Sequence, residues 1–170
     1  MRVINVEIKA RCADPEQVRA VLRQRNASFA GLDRQVDTYF RAPQGRLKLR
    51  EGNIENALIY YHRPNQAGPK TSDVLLHQTT RGSGLREILA AALGVLVAVD
   101  KQREIYYLDN VKIHLDRVEG LGEFVEIEAA GDENADRAAL LAQCQELMTA
   151  FAVREQDLVS ESYSDLLGRT

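Results

Sequence analysis

Cysteine is scarce in this sequence, and the two cysteines stand far apart. Cys12 and Cys144 belong to no metal-binding or redox spacing motif. Domains that depend on disulfides carry many cysteines at short spacings, so reduced, buried thiols are favoured here over a disulfide. We therefore expect a cytoplasmic protein in which neither thiol acts as a nucleophile.

The sequence also lacks a surplus of charge of one sign and a long hydrophobic run. Its formal net charge is −3, although 28% of its residues are charged. Such a balance gives no general attraction to nucleic acid or to an anionic membrane, so any basic site must be local. The most apolar stretch, ILAAALGVLVAV at residues 88–99, is too short to span a bilayer. We predict a soluble protein that binds neither nucleic acid nor membrane.

Repeats, low-complexity tracts and long linkers are absent too. The 170 residues are 45% hydrophobic, which suffices for one domain with a sizeable core, and we predict a single domain over residues 1–170. The predicted helices are Glu16–Arg25 after a capping Asp14, one from Ser83 that closes at Gly94, Asn134–Phe151 and Glu161–Leu167. The segment RPNQAGPKTSD, at 63–73, predicts a turn or mobile loop. Lys70 and Ser72 in it either close over a site or are solvated.

Between the helices, polar and apolar residues alternate with the period of two that is typical of β-strands. In NVEIKARC, at residues 5–12, Glu7 and Lys9 share one face while Val6 and Ile8 share the other. About eight short strands are predicted in this way, at residues 4–11, 34–41, 45–51, 57–64, 74–80, 100–108, 111–118 and 123–129.

The charged faces of these strands are segregated by sign. Arginine and lysine gather on the middle strands, and carboxylates on the first strand and the last two. A strand with one charged face usually turns that face to solvent, as in an open sheet with helices on its apolar side. A closed antiparallel barrel instead turns the charged faces inward around a lumen. The segregation indicates a site, which favours the second arrangement.

A lumen of this kind suits a polyanion and a divalent cation together. Guanidinium and ammonium groups bind phosphate oxygens, and the basic residues are Lys48, Arg50, Arg63, Lys101 and Arg103. Carboxylates bind hard cations such as Mg²⁺ or Mn²⁺, and the acidic residues are Glu7, Asp116, Glu126 and Glu128. So many buried charges are tolerated only if they neutralise one another or a ligand.

The succession of these segments resembles the CYTH proteins, also called triphosphate tunnel metalloenzymes. The segments are VEIKA, RLKLR, YYHRP, KQREIYY, IHLDRVEGLGEFVEIE and YSDLL. Each is a weak signal alone, but their order across nearly the whole chain is specific. The family includes CyaB-type class IV adenylate cyclases, thiamine triphosphatases and inorganic triphosphatases. The resemblance implies an α+β fold, a closed eight-stranded antiparallel β-barrel with flanking helices whose lumen binds a triphosphate and one or two divalent ions.

The resemblance also implies roles for single residues. The residues that resemble the metal ligands are Glu7, Glu126 and Glu128, with Asp116 as a further ligand. Those that resemble the phosphate-binding set are Lys9, Lys48, Arg50, Arg63, Lys101 and Arg103. We add His114 as a hydrogen-bonding lumen residue at the substrate, and Glu7 and Lys9 as the catalytic pair that orients or deprotonates a nucleophile. Tyr39, Tyr61 and Tyr163 are interpreted as packing residues.

One position departs from the family pattern. The usual opening motif E-x-E-x-K reads Asn5-Val6-Glu7-Ile8-Lys9 here. An asparagine carbonyl can coordinate a cation but brings no negative charge. This leaves open whether one metal ion or two are bound, and whether the reaction is hydrolysis or cyclisation.

The predicted activity is a Mg²⁺- or Mn²⁺-dependent triphosphatase acting on tripolyphosphate or a small organic triphosphate such as thiamine triphosphate. The alternative is a class IV adenylate cyclase that converts ATP to cyclic AMP and pyrophosphate. Hydrolysis is preferred because no nucleobase-reading motif is visible. Asn5 favours a second alternative, a non-catalytic polyphosphate- or nucleotide-binding module, and a plain structural barrel is the last. Whether the protein is a monomer or a homodimer stays open.

Overall fold

Eight antiparallel strands close into a barrel in the computed structural model of the chain, which describes residues 2–168. The strands are β1 (Arg2–Arg11), β2 (Ser28–Phe40), β3 (Arg46–Glu51), β4 (Asn56–His62), β5 (Lys70–Gln78), β6 (Val95–Leu108), β7 (Val111–Val118) and β8 (Gly122–Gly131). Around the barrel their order is β1, β5, β4, β3, β2, β6, β7, β8, and β8 pairs with β1 to close the ring. The predicted closed eight-stranded barrel is confirmed.

Four helices and one 3-10 turn accompany the strands within the described residues. They are α1 (Pro15–Gln24), α2 (Leu85–Leu93), α3 (Arg137–Ala150), the 3-10 turn (Glu155–Asp157) and α4 (Tyr163–Leu167). Asp14 caps α1 as predicted, because its carboxylate accepts a hydrogen bond of 3.2 Å from the Gln17 amide. Within residues 2–168, no helix has both the length and the hydrophobicity needed to cross a membrane.

Three helices begin later than predicted. α2 begins after Gly84 rather than at Ser83, since Gly84 has a φ of +82° and ends the preceding turn. α3 begins after Asp136, whose carboxylate caps the helix, rather than at Asn134 in the turn before it. α4 begins after Ser162, whose hydroxyl accepts from the third helical amide.

β2 and β6 extend furthest beyond their predicted bounds, each at its N-terminal end. β2 and β6 pair along almost their full lengths, from Ser28 opposite Tyr107 to Phe40 opposite Val95. The apolar stretch at 88–99 is thereby divided between α2 and β6 at Gly94, whose φ of +76° turns the chain. Its hydrophobic residues therefore serve a helix and a strand in succession.

The expectation of a turn or mobile loop is wrong for the end of the segment RPNQAGPKTSD. β5 begins at Lys70, so Lys70 and Ser72 lie in a strand opposite Glu7 and Asn5 of β1. Their exposed fractions are 1% and 2%, which excludes solvated side chains. Pro69 marks the boundary because proline cannot donate to a strand ladder.

The outer faces of β1, β7 and β8 pack against α1 and α3. The residues of this core include Ile4, Val6, Ile8, Val111, Ile113, Val125, Ile127, Val18, Leu22, Leu140 and Leu147. Cys12 and Cys144 are buried and free, as predicted, and burial raises the pKa of the Cys144 thiol to about 12. Because the apolar faces of these strands point outward, their polar faces lie inside the barrel.

A C-terminal segment, residues 158–167, lies across one end of the barrel. The Val159 amide donates a hydrogen bond of 2.9 Å to the Lys9 carbonyl of β1. The Lys70 ammonium of β5 donates to the Ser160 carbonyl at 2.8 Å. The same segment places Tyr163 against the interior. The barrel interior is therefore covered at this end.

Candidate active site

The barrel interior holds a cavity of about 450 Å³. Every predicted site residue except Asp116 lines it, namely Glu7, Lys9, Lys48, Arg50, Arg63, Lys101, Arg103, His114, Glu126 and Glu128. The alternation along the strands therefore identified the inward faces correctly. The catalytic, substrate-binding and metal-binding roles of these residues stay predictions.

Strand register brings the acidic residues together. Glu7 of β1 lies directly opposite Glu128 of β8, and Lys9 lies opposite Glu126. On the other side of β8, His114 of β7 lies opposite Glu126. Because side chains on a strand face one side at every second residue, these groups share the inner surface. We call Asn5, Glu7, Glu126 and Glu128 the carboxylate wall.

The carboxylates of this wall differ in how they are neutralised. Glu7 forms an ion pair with Arg63. Glu126 pairs with Lys9 at 3.1 Å and with Arg103 at 3.0 Å. Burial opposes ionisation of the Glu126 carboxyl, but Lys9 and Arg103 hold its pKa well below the usual value. Glu128 accepts a hydrogen bond of 2.5 Å from the Asn5 amide. It forms no direct ion pair among residues 2–168, although it interacts electrostatically with Arg63.

The opposite part of the lumen is built around Asp37 of β2. Its carboxylate binds Arg50 through two hydrogen bonds of 2.9 Å, Lys48 at 2.9 Å and Lys101 at 2.8 Å. Burial opposes ionisation of Asp37, but these three cations hold its pKa well below the usual value. Burial also lowers the pKa of Lys101, to about 7. We call Asp37, Lys48, Arg50 and Lys101 the cation wall.

Asp116 lies behind the cavity rather than in it. Its carboxylate accepts hydrogen bonds of 2.7 and 2.5 Å from the Arg103 guanidinium and one of 2.8 Å from the Tyr163 hydroxyl. The predicted role of Asp116 as a metal ligand therefore gains no support from its position. Tyr163, interpreted from the sequence as a packing residue, also bonds to Asp116 and stacks under the Lys9 ammonium at 3.7 Å.

Sequence reasoning left several charged residues of the interior out of the predicted site. They are Asp37, Glu55, Lys70 and Lys112. A signal for Asp37 was present, since Asp33, Gln35 and Asp37 continue the alternation of β2 toward its start. Lys70 was placed in a loop because Gly68 and Pro69, which are typical of turns, precede it. Glu55 stands in the short connection between β3 and β4, where no period of two exists.

Several buried polar atoms in the lumen have no hydrogen-bond partner within the described part of the chain. They are Asn5 Oδ1, Arg63 Nε and His114 Nε2, and Gln35 Oε1 is a further one on β2. Buried polar groups in native proteins are nearly always hydrogen-bonded, so a bound group is expected to complete these contacts. Burial lowers the pKa of His114, and its imidazole is therefore neutral at pH 7.

The carboxylate wall carries oxygen donors of the kind that bind a divalent cation. Among the described residues, no three His, Cys, Asp or Glu side chains converge closely enough to hold a metal as they stand. Glu7 and Glu126 turn toward Arg63 and Lys9 instead. However, Glu7, Glu128 and the unpartnered Asn5 carbonyl form an all-oxygen set on two paired strands. Oxygen donors of this kind are those that Mg²⁺ and Mn²⁺ prefer.

The end of the lumen away from the C-terminal segment carries several apolar side chains beside its polar ones. The side chains that line it there include Val3, Ile54, Leu76 and Tyr107, which we call the apolar rim. Ile54 and Tyr107 are 42% and 40% exposed, so this end is open to solvent. A ligand that enters here passes the apolar rim before it reaches the charged walls.

Known proteins share this sequence pattern and this fold. The sequence model of the CYTH domain matches residues 3–163. The chain is 26% identical to "Putative adenylate cyclase MJ0240" of Methanocaldococcus jannaschii over 176 residues, which cover 98% of this chain and 99% of that protein.

Solved structures of other proteins share this fold. The PH1012 protein of Pyrococcus horikoshii OT3 is 24% identical, with a TM-score of 0.81 over 95% of this chain and 98% of that one. The HpAC1 protein of Hippeastrum, described as having a dominant triphosphatase activity, is 14% identical, with a TM-score of 0.59 over 99% of this chain and 95% of that one. At these identities the structures share the fold alone.

Proposed function

The chain belongs to the CYTH domain family, and from that premise we propose that it is a divalent-metal-dependent triphosphatase that hydrolyses inorganic or small organic triphosphates in its lumen. The family, with its adenylate cyclase and triphosphatase relatives, supports an enzyme of phosphorus transfer. One observation supports placing the reaction in the lumen. A buried row of cations faces a carboxylate wall across one cavity.

Binding of the triphosphate is assigned to the basic residues. Arginine holds phosphate oxygens through a planar fork, while lysine acts as a point charge. Arg50, Lys48 and Lys101 lie on the cation wall, and Arg63 lies beside Glu7. Arg103 is held by Asp116, which we now assign as a positioning residue. A substrate held by so many fixed donors is aligned for in-line attack.

The metal is assigned to the carboxylate wall. Glu7, Glu128 and the Asn5 carbonyl are the proposed ligands, and Glu126 neutralises the basic groups beside them. When bound, Mg²⁺ or Mn²⁺ supplies positive charge that stabilises the charge developing on phosphate oxygens. His114 Nε2, which has no partner, is free to hydrogen-bond a phosphate oxygen.

We assign to Lys9 the role of general base, which accepts the proton of the attacking water. Burial lowers the pKa of its ammonium, which shifts Lys9 toward the neutral form that a general base needs. Lys9 lies between Glu126 and the Tyr163 ring, and both fix its position. Glu7 lies two residues away on the same face of β1 and orients the water.

A second candidate function, adenylate cyclase, is favoured by the apolar rim. Val3, Ile54, Leu76 and Tyr107 offer an apolar surface at the open end, where a nucleoside can lie while its triphosphate reaches the charged walls. In that reaction the ribose 3′-hydroxyl replaces water as the nucleophile and pyrophosphate leaves.

Product analysis separates the two. The purified protein is incubated with tripolyphosphate, thiamine triphosphate and ATP, each with Mg²⁺ or Mn²⁺, and phosphate release is measured beside cyclic AMP. We expect phosphate without cyclic AMP. Cyclic AMP and pyrophosphate from ATP would select the cyclase, and binding without turnover would select a non-catalytic module.

A matched pair of variants assigns the activity to the lumen. Glu126→Gln removes a lumen carboxylate, and Glu104→Gln removes one outside, where Glu104 pairs with Arg19 of α1. We expect metal-dependent turnover to be lost in the first variant and retained in the second. Equal turnover in both would exclude the carboxylate wall from the reaction.

A further inference from the structure

A carboxylate from outside the strands reaches across the open end of the lumen. Glu55, in the connection between β3 and β4, forms an ion pair with Lys112 of β7. In the barrel order β2 and β6 separate β3 from β7, so this contact crosses the interior. The same carboxylate accepts from Arg50 at 3.1 Å and from Gln35 at 3.2 Å.

The backbone that carries Glu55 is held rigidly. The buried Asp33 carboxylate accepts hydrogen bonds of 2.9 Å from the amides of Ile54 and Glu55. Gly52 is required in this connection, because a Cβ there would lie 2.5 Å from Asp33 Oδ1. The backbone is thus fixed, and movement at this end is confined to the Glu55 side chain.

The Glu55 side chain lies where a ligand anion is expected. Arg50 is a lumen cation of the predicted phosphate-binding set, and Lys112 lines the same cavity. A carboxylate and a phosphate group present similar oxygens to such donors. The side chains of Glu55 and Lys112 are 20% and 22% exposed, so the carboxylate has solvent into which it can turn.

We propose that Arg50 and Lys112 form a phosphate subsite at the open end of the lumen, and that the Glu55 carboxylate occupies this subsite until a phosphate group of the substrate displaces it. The proposal rests on the proposed triphosphatase function and adds a residue that sets its affinity for substrate. Burial opposes ionisation of Glu55, but Arg50 and Lys112 lower the pKa of its carboxyl. The competing carboxylate is therefore charged at neutral pH.

The test measures anion affinity without turnover. Glu55→Gln keeps the shape and the hydrogen bond to Arg50 but removes the charge. Tripolyphosphate is titrated calorimetrically into the full chain in EDTA, and we expect binding about tenfold tighter than in the wild type, a difference of about 1.4 kcal/mol. Lys112→Gln removes a cation of the subsite and is expected to weaken binding several-fold.

The matched control is Glu104→Gln. Glu104 has the same 20% side-chain exposure as Glu55 and also pairs with an arginine, but it lies outside the barrel. We expect its affinity for tripolyphosphate to equal that of the wild type.

Unchanged or weaker binding in Glu55→Gln would overturn the proposal, because the pair with Lys112 would then only hold the barrel together. Unchanged binding in Lys112→Gln would overturn it as well, and this variant decides the matter if Glu55→Gln does not fold. A wild-type chain that binds no triphosphate in EDTA overturns the subsite, and one that binds none with Mg²⁺ either overturns the proposed function as well. A wild type that binds in EDTA, with variants that do not change its affinity, overturns the subsite alone.

Discussion

The two walls of the lumen differ in how their charges are satisfied. On the cation wall, Asp37 bonds to Arg50, Lys48 and Lys101, all within 2.9 Å. On the carboxylate wall, Glu128 has the Asn5 amide as its hydrogen-bond partner and forms no direct ion pair among the described residues, and Asn5 Oδ1 has no hydrogen-bond partner among them. On the first wall, the protein itself supplies a counter-ion, Asp37, that the three cations share. We propose that a ligand completes the second.

This difference predicts that one wall contributes mainly to the stability of the fold and the other mainly to activity. Removing the shared partner of several buried charges is costly, because the others are left uncompensated. Removing a group whose partner is a ligand costs little until the ligand is present. We therefore expect changes in the cation wall to reduce folding stability, and changes in the carboxylate wall to reduce metal binding.

The largest effect is expected from Asp37→Asn. Arg50, Lys48 and Lys101 then lose their common counter-ion inside the barrel, and we expect the free energy of unfolding to fall by about 3–5 kcal/mol. Urea denaturation monitored by circular dichroism measures it. A loss under about 1 kcal/mol would show that solvent already screens these charges.

Glu128→Gln makes the same chemical change on the other wall. Because no cation among residues 2–168 pairs with Glu128, we expect the free energy of unfolding without metal to change by less than about 1 kcal/mol. Turnover with Mg²⁺ is expected to fall about 100-fold, since a proposed metal ligand is lost. A large loss of stability with full turnover would reverse the comparison between the walls.

Asn5→Asp sharpens the comparison by adding a charge to the carboxylate wall. The new carboxylate lies beside Glu128, so we expect Mn²⁺ to bind about tenfold more tightly, as a site with more ligand charge does. Without metal the two carboxylates repel, and stability falls slightly. Titration of Mn²⁺ followed by electron paramagnetic resonance gives the affinity, and an unchanged value would remove position 5 from the metal site.

The smallest effect concerns pH. Burial lowers the pKa values of Lys70 and Lys101 to about 7. Each amine is protonated below that pH and neutral above it, and phosphate prefers the protonated form. We therefore expect tripolyphosphate binding to weaken several-fold between about pH 6 and about pH 8. Lys70→Arg, which stays charged, should flatten part of this dependence, and an identical profile would exclude Lys70 from binding.

The fold was predictable because one physical pattern recurs in every strand. Inward residues of β1, β3, β6, β7 and β8 alternate strictly, so their side of the sheet could be read from spacing alone. The start of β5 could not be read from spacing, because Pro69 precedes it and proline usually marks a turn. The full length of β2 was not predicted, because a bulge at Gly31 interrupts the alternation of its residues.

The candidate site was predictable in its members but not in its pairings. Spacing showed that Asp116 shares a face with His114, but not that Arg103 and Tyr163 would bind it behind the cavity. Likewise, no local rule places Glu55 beside Lys112, because the contact depends on closure of the barrel. Such pairings are set by tertiary structure, and they decide which charges remain for a ligand.

A crystal structure with Mn²⁺ and tripolyphosphate tests the central claim most directly. The anomalous signal of manganese locates the ion independently of the anion. We expect the ion beside Glu7, Glu128 and Asn5, with the polyphosphate extending inside the barrel toward Arg50 and Lys101. Manganese and polyphosphate bound only on the outer surface, with the lumen unchanged, would contradict the account.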